Sequence, residues 1–124
     1  MRFRSGPAAC VVLALWTSAA FGHHSFAMFD SQKTITLEGT IKEFQWTNPH
    51  TWIQLLVRDA SGKEVEWSIE GGSVNGLARA GWKRTLLKAG DKATVVIHPL
   101  KDGNPGGSLV TVTVNGQVIG NDRS

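Results

Sequence analysis

The alternation of apolar and polar residues along the chain predicts a domain made mostly of β-strands. The clearest pattern covers residues 64–70, in which Val65, Trp67 and Ile69 alternate with glutamates and a serine. A period of two is typical of a strand with one buried and one solvated face. A similar alternation covers residues 52–58. Both segments are therefore predicted to be half-buried strands.

The longest predicted strand covers residues 34–46 and changes its inward-facing parity partway. The apolar positions are odd before the change and even after it: Ile35, Leu37, Ile41, Phe44 and Trp46. Such a shift predicts a β-bulge or bend near residues 42–43. Gly39 lies where a strongly curved strand needs a residue without a side chain.

The second half of the chain predicts a short helix followed by further strands. Ser73 is a favourable N-cap for a helix over residues 74–80, and Gly81 is placed to end it. The pair Asn115-Gly116 predicts a type I′ hairpin turn into a small terminal strand. The intervening segments are predicted as a strand at 92–99, a Gly/Pro/Asn-rich loop at 102–107 and a strand at 109–114.

The order β-β-β-α-β-β is that of a small five-stranded OB-like barrel with one short helix. In that fold the first strand is long and bent, because it pairs in both halves of the barrel. The same order also permits an open sandwich or meander with a helix across one end. The curved first strand favours the barrel, which is assigned to residues 34–118, between an N-terminal segment at 23–33 and a C-terminal tail at 119–124.

The first 22 residues have the pattern of a secretory signal peptide. Arg2 and Arg4 precede an apolar run at residues 8–16, and small residues follow it. Because that run is shorter than the roughly 20 residues that span a bilayer, we expect cleavage and no transmembrane segment in the mature chain. We therefore expect a periplasmic or secreted protein. Cys10 is the only cysteine, so the mature chain has no thiol.

Charge and motifs narrow the function classes. Loss of Arg2 and Arg4 with the signal lowers the formal charge from +3 to +1, so the basic pI of the whole chain does not predict a nucleic-acid partner. No pair of carboxylates has a spacing that specifies acid–base chemistry, and no nucleophile motif is present. The sequence therefore predicts a binding protein and no enzyme.

Six blocks of the mature chain carry a resemblance to known proteins: residues 23–30, 37–53, 76–79, 81–82, 90–91 and 98–100. Together they resemble a family of small exported bacterial proteins, domain of unknown function 6152. The Trp-Thr-Asn-Pro-His block at 46–50 is the most specific of them. The resemblance covers nearly the whole mature chain, and it implies export and a small single domain without an established activity.

Two adjacent histidines, His23 and His24, stand where the signal is expected to end. Cleavage after Gly22 makes His23 the first residue, so that its amine and ring can chelate one metal as a histidine brace. Cleavage after Ala20 places His23 third from the amine, a position that supports a square-planar Cu(II) site. Either terminus favours copper, and a solvated tail without a metal is the alternative.

His50 and His98 are the other candidate metal ligands. His50 lies in the predicted turn between the first two strands, and His98 lies near the end of a later strand. Histidine is a frequent ligand for copper and other transition metals. A backbone hydrogen bond in the turn is the alternative for His50, and a structural role is the alternative for His98.

A second hypothesis needs no metal. Trp46, Asn48 and Trp52 surround His50, so the turn could grip a small ligand, a glycan or a periplasmic protein partner. Core packing is the alternative for both tryptophans, and Trp67 and Trp82 are predicted to belong to the core. A stable accessory domain without a small ligand is a third possibility.

Overall fold

A computed structural model describes residues 27–121 of the chain. The predicted signal peptide, His23, His24 and the last three residues of the predicted tail lie outside this range. The described part is mainly β with one short helix, as predicted. Its elements are β1 (Ile35–Gln45), β2 (Trp52–Arg58), β3 (Glu64–Glu70), α1 (Val74–Arg79), β4 (Lys92–Pro99), β5 (Gly106–Val114) and β6 (Gln117–Gly120).

The strands close into an OB-like barrel. β1 pairs antiparallel with both β2 and β4, β2 pairs with β3, and β4 pairs with β5. A parallel pairing of β3 with β5 completes the ring. The open sandwich or meander is thereby excluded in favour of the five-stranded barrel, and β6 extends the sheet beyond β5.

The predicted bend in β1 is present. The register between β1 and β2 shifts between Ile41 and Glu43, which is the β-bulge that the parity change predicts. Gly39 also has the predicted role, because a Cβ atom there would meet the backbone oxygen of Leu56 and lie 3.0 Å from the Leu55 side chain. The close approach of two strands at the bend therefore requires a glycine.

β5 begins at Gly106, three residues before the predicted start at residue 109. The prediction of a loop as far as residue 107 was wrong, because Gly106 and Gly107 form the parallel pairing that closes the barrel. A Cβ atom on Gly106 would lie 2.9 Å from the Ser68 oxygen, and one on Gly107 would run into the backbone of His98. The glycines are strand residues that allow close packing, not loop residues.

Local signals at the helix and at the last turn are confirmed. The Ser73 hydroxyl accepts a hydrogen bond from Gly76 N at 3.1 Å, and Gly81 follows the helix with a φ of 99°. Asn115 and Gly116 have φ values of 51° and 76°, as a type I′ turn requires. β6 continues to Gly120, two residues past the predicted domain boundary at 118.

The core fills the barrel with aliphatic side chains. Burial of each such side chain contributes roughly 1.5–3 kcal/mol. Trp82 also belongs to the core: it is 2% exposed, its ring centroid is 5.9 Å from that of Phe44, and its Nε1 donates to Gly120 O at 2.8 Å. The most deeply buried aliphatic residues are Ile41, Ile53, Leu55, Ile69, Leu77, Val95, Ile97 and Val112. Among residues 27–121, no helix is long and apolar enough to cross a membrane.

Candidate functional site at the first turn of the barrel

His50 lies in the turn between β1 and β2 and faces the end of β3. Its Nε2 atom is 3.2 Å from Glu70 Oε1, and its Nδ1 atom is 3.3 Å from the backbone oxygen of Gly71. The β2–β3 register brings the groups together, because Trp52 is directly opposite Glu70. The Glu70 side chain is 13% exposed and the His50 side chain is 38% exposed, so the pair lies at the protein surface with its carboxylate largely covered.

Hydrogen bonds of the buried residue Thr51 hold this turn against the segment after β3. Thr51, which is 1% exposed, donates to Gly72 O from its backbone N at 3.0 Å and from its hydroxyl at 2.9 Å. Gly71 N donates in return to Thr51 O at 2.8 Å. A side chain on Gly71 would collide with the Thr51 hydroxyl. The backbone next to His50 is therefore fixed by hydrogen bonds to Gly71 and Gly72.

The two partners of the His50 ring are both hydrogen-bond acceptors. A neutral imidazole carries a single N–H, so it cannot donate to Gly71 O and to Glu70 at once. When the Nδ1 proton faces Gly71 O, the Nε2 lone pair faces the Glu70 carboxylate. Two electron-rich atoms then lie 3.2 Å apart, and a shared cation satisfies both. The cation can be the second proton of an imidazolium or a metal ion.

The Asn48 side chain forms a hydrogen bond that connects two elements of the fold. Its side-chain oxygen accepts a hydrogen bond from Val74 N, the first residue of α1, at 3.1 Å. Thr47 donates from its hydroxyl to His50 O at 2.9 Å, which tightens the same turn. The side chain that was predicted to contact a ligand therefore connects the first turn of the barrel to the helix.

Trp46 and Trp52 serve different faces of the barrel. Trp46 packs against the core and meets Phe44 edge to face, with the ring centroids 5.7 Å apart. Trp52 is half-buried and shares the outer face with Gln45 and Glu70, its direct cross-strand neighbours. Trp46 therefore packs on the inner side of the barrel, and Trp52 lies at the outer surface. Trp67 packs against the core from the inner face, as predicted.

His98 is not brought next to His50. It is opposite Ser108, which is in turn opposite Glu70, so two strand spacings, roughly 10 Å, separate the His98 and Glu70 backbones. The His98 Nδ1 atom is 2.8 Å from Lys33 O and connects β4 to the segment before β1. Within residues 27–121, no group of three or more His, Cys, Asp or Glu side chains has an arrangement that could hold a metal ion.

Glu70 is the functional candidate that sequence patterns did not identify. It occupies a polar position of the alternating segment 64–70, and all three glutamates there have the same solvent-facing parity. Parity alone does not distinguish them. Only the pairing of β2 with β3 shows that Glu70, at the end of β3, reaches His50 in the turn between β1 and β2.

The fold and this pair define a class: a small OB-like barrel that carries an imidazole–carboxylate pair beside its first turn. The family model of DUF6152, a family of unknown function, matches residues 11–117. The chain belongs to that family, as the sequence blocks around the Trp-Thr-Asn-Pro-His motif indicated. No curated protein and no solved structure matches it.

Proposed function

We propose that this protein is an exported metal-binding protein that takes copper or a similar transition-metal ion. His50 and Glu70 are the ligands supplied by the barrel. The processed amino terminus, with His23 and His24, supplies the remaining nitrogen ligands. The protein then acts in the periplasm or outside the cell, where the signal-like segment 1–22 would deliver it.

The observation that carries the proposal is the separation of 3.2 Å between His50 Nε2 and Glu70 Oε1. Nitrogen and oxygen ligands lie about 2.0–2.2 Å from a metal such as zinc, so neighbouring ligands are roughly 3 Å from each other. The pair has this separation already. An ion can bridge it with little movement of either side chain.

The surroundings of His50 support the same function. A histidine that binds metal through one ring nitrogen commonly donates its other N–H to a backbone carbonyl or carboxylate, which fixes the ring. Gly71 O takes that position at 3.3 Å from Nδ1. The mixed nitrogen and oxygen donors suit copper and zinc better than calcium or magnesium, which prefer oxygen alone.

A titration with Cu(II) and with Zn(II) tests the proposal on protein that begins at His23. We expect one tight site, with affinity lowered about 10-fold or more by His50→Gln or Glu70→Gln. Glu64→Gln is the matched control, because it removes an exposed carboxylate from the same strand. An exposed terminal histidine binds copper on its own, so His23→Ala and the His23→Ala/His50→Ala double variant are measured in parallel. Unchanged affinity in the double variant contradicts the proposal.

The second candidate function is a metal-free binding module for a glycan, another small ligand or a protein partner. It is favoured by the half-buried Trp52 ring, which lies between Gln45 and Glu70 on the outer face. Aromatic rings flanked by amide and carboxylate groups can stack on a ligand and hydrogen-bond its edges. Tryptophan fluorescence that responds to oligosaccharides in the presence of a chelator, and that Trp52→Ala abolishes, supports this function. A response that the chelator removes supports the metal.

A further inference from the structure

A further candidate site lies outside the His50 turn, because none of its lining residues belongs to that turn. It is a cavity of about 290 Å³ between the segment before β1, the inner side of β3 and the loop that joins β4 to β5. Sites for small ligands begin near this size. The cavity therefore accommodates a molecule of about ten non-hydrogen atoms. Its lining includes Asp30, Lys33, Trp67, Lys101 and Asn104.

An aromatic ring and two ammonium groups determine the chemistry of this cavity. Trp67 faces inward opposite Leu55 but remains partly accessible, so its ring offers an apolar surface. Lys33 and Lys101 are exposed, and neither forms an ion pair with any of the residues 27–121. Asp30 is the one carboxylate in the lining, and its Oδ1 accepts a hydrogen bond from Gln32 N at 3.2 Å. The cationic groups outnumber the anionic one.

The backbone that carries the two lysines is fixed. Lys33 N donates to Asp30 O at 3.1 Å, and Lys33 O is 2.8 Å from the His98 ring. Lys101 N donates to Met28 O at 2.9 Å, beside the β-bridge between Phe29 and Leu100. Only the side chains must order when a ligand binds, which lowers the entropic cost of binding.

From this arrangement we infer that the cavity binds a small aromatic carboxylate. The ring of the ligand stacks on Trp67, and its carboxylate meets the ammonium groups of Lys33 and Lys101. An aliphatic carboxylate lacks the stacking surface, and a neutral aromatic amide lacks the charge. This site is independent of the proposed metal site, because it uses neither His50 nor Glu70.

Fluorine NMR with 4-fluorobenzoate as the probe tests the inference on protein spanning residues 23–124. We expect a Kd near 1 mM, as is usual for a ligand of this size in a half-open site. The neutral 4-fluorobenzamide is expected to bind at least fivefold more weakly. Benzoate is expected to displace the probe, whereas cyclohexanecarboxylate displaces it poorly.

Variants separate this site from general attraction to a basic surface. The double variant Lys33→Gln/Lys101→Gln is expected to lower the affinity for 4-fluorobenzoate about fivefold or more. The control pair Lys83→Gln with Lys88→Gln makes the same change of charge at exposed positions outside the cavity lining. Trp67→Phe keeps an aromatic ring, and its affinity for 4-fluorobenzoate is expected to fall about twofold. Equal weakening in both lysine pairs, equal binding of the amide, or a Kd above about 10 mM for the unaltered protein overturns the inference.

Discussion

Asn121 accepts a hydrogen bond from the backbone N–H of Gly72 through its side-chain oxygen, at 2.8 Å. This contact ties the residue after β6 to the segment that follows β3. Gly72 O is at the same time the acceptor for Thr51. The last strand, the end of β3 and the His50 turn are therefore joined at one backbone position.

Replacing Asn121 is expected to weaken this junction. In Asn121→Ala the Gly72 N–H loses its acceptor in a half-buried position, so we expect the free energy of unfolding to fall by about 1–2 kcal/mol. Urea denaturation measures the change. Gln117→Ala, at an exposed position of β6, serves as the control and is expected to change stability by less than about 0.5 kcal/mol. Equal losses of unfolding free energy in the two variants would contradict a stabilising role for the Asn121 hydrogen bond.

Gly107→Ala is expected to be among the most damaging alanine substitutions. The added Cβ would run into the backbone carbonyl of His98 and lie 2.7 Å from Ile97 Cδ1, so the strands at the barrel closure must separate. We expect a loss of about 2–4 kcal/mol, measured by thermal or chemical denaturation.

Gly76→Ala is the matched control for that substitution. Its Cβ would approach only the Ser73 hydroxyl, at 3.2 Å, and alanine is the better helix former by up to about 1 kcal/mol. We expect a stability change between about −0.5 and +1 kcal/mol. A loss in Gly76→Ala as large as that in Gly107→Ala would show that the collision at the closure is not the cause.

Metal binding is expected to stabilise the fold. An ion that binds only the folded chain raises the free energy of unfolding by about 2.7 kcal/mol when its free concentration is 100 times the Kd. Differential scanning calorimetry with and without Zn(II) measures this shift. His50→Gln should lose most of it, whereas His98→Gln should retain it, because His98 is separated from Glu70 by the intervening β5 residue Ser108. Equal loss in both variants contradicts the assignment of His50.

The β2–β3 turn is expected to respond to acid through Asp59. A hydrogen bond from the Ser61 hydroxyl, at 2.6 Å, and one from Lys63 N, at 3.0 Å, hold the pKa of Asp59 below the ordinary aspartate value. Because the folded pKa is the lower one, the contribution of this turn to stability is present above the ordinary pKa. It is lost as the pH falls through the folded value.

Ser61→Ala tests the cause of that shift. Removing the hydroxyl should move the pKa of Asp59 upward, toward the ordinary aspartate value, as followed by NMR of the carboxyl carbon. The stability of the variant should then depend less on pH in the acid range. Ser108→Ala, which leaves the turn unchanged, is the control. A pKa of Asp59 that is the same in both variants would exclude the hydroxyl as the main cause.

Much of the fold is readable from the sequence because local rules specify it. The parity change around Lys42 predicts the bulge, and Asn115-Gly116 predicts the turn with two positive φ values. The closure of the barrel is different. Gly106 and Gly107 have the composition of a loop, and only their distant partners on β3 and β4 show why glycine is required there.

The residues of the candidate site also differ in whether local sequence or distant pairing identifies them. His50 stands out in the sequence because of its unusual turn, but the role of Glu70 depends on which strands pair and in which register. Asn48 also looks like a ligand-binding side chain in the sequence, and its contact with Val74 becomes visible only when the helix is placed. Residues whose role depends on distant partners are therefore the ones that sequence patterns assign least well.

The parallel pairing that closes the barrel has a consequence for the order of folding. Ser68 and Gly106 are 38 positions apart in the chain, whereas His50 and Glu70 are 20 apart and connected by the consecutive strands β2 and β3. Closing a longer loop costs more entropy and slows folding. In pulse-labelled hydrogen exchange, we expect the backbone amides of the β2–β3 hairpin to become protected before those of the β3–β5 pairing. A newly synthesised chain would then present its imidazole–carboxylate pair while the barrel is still open.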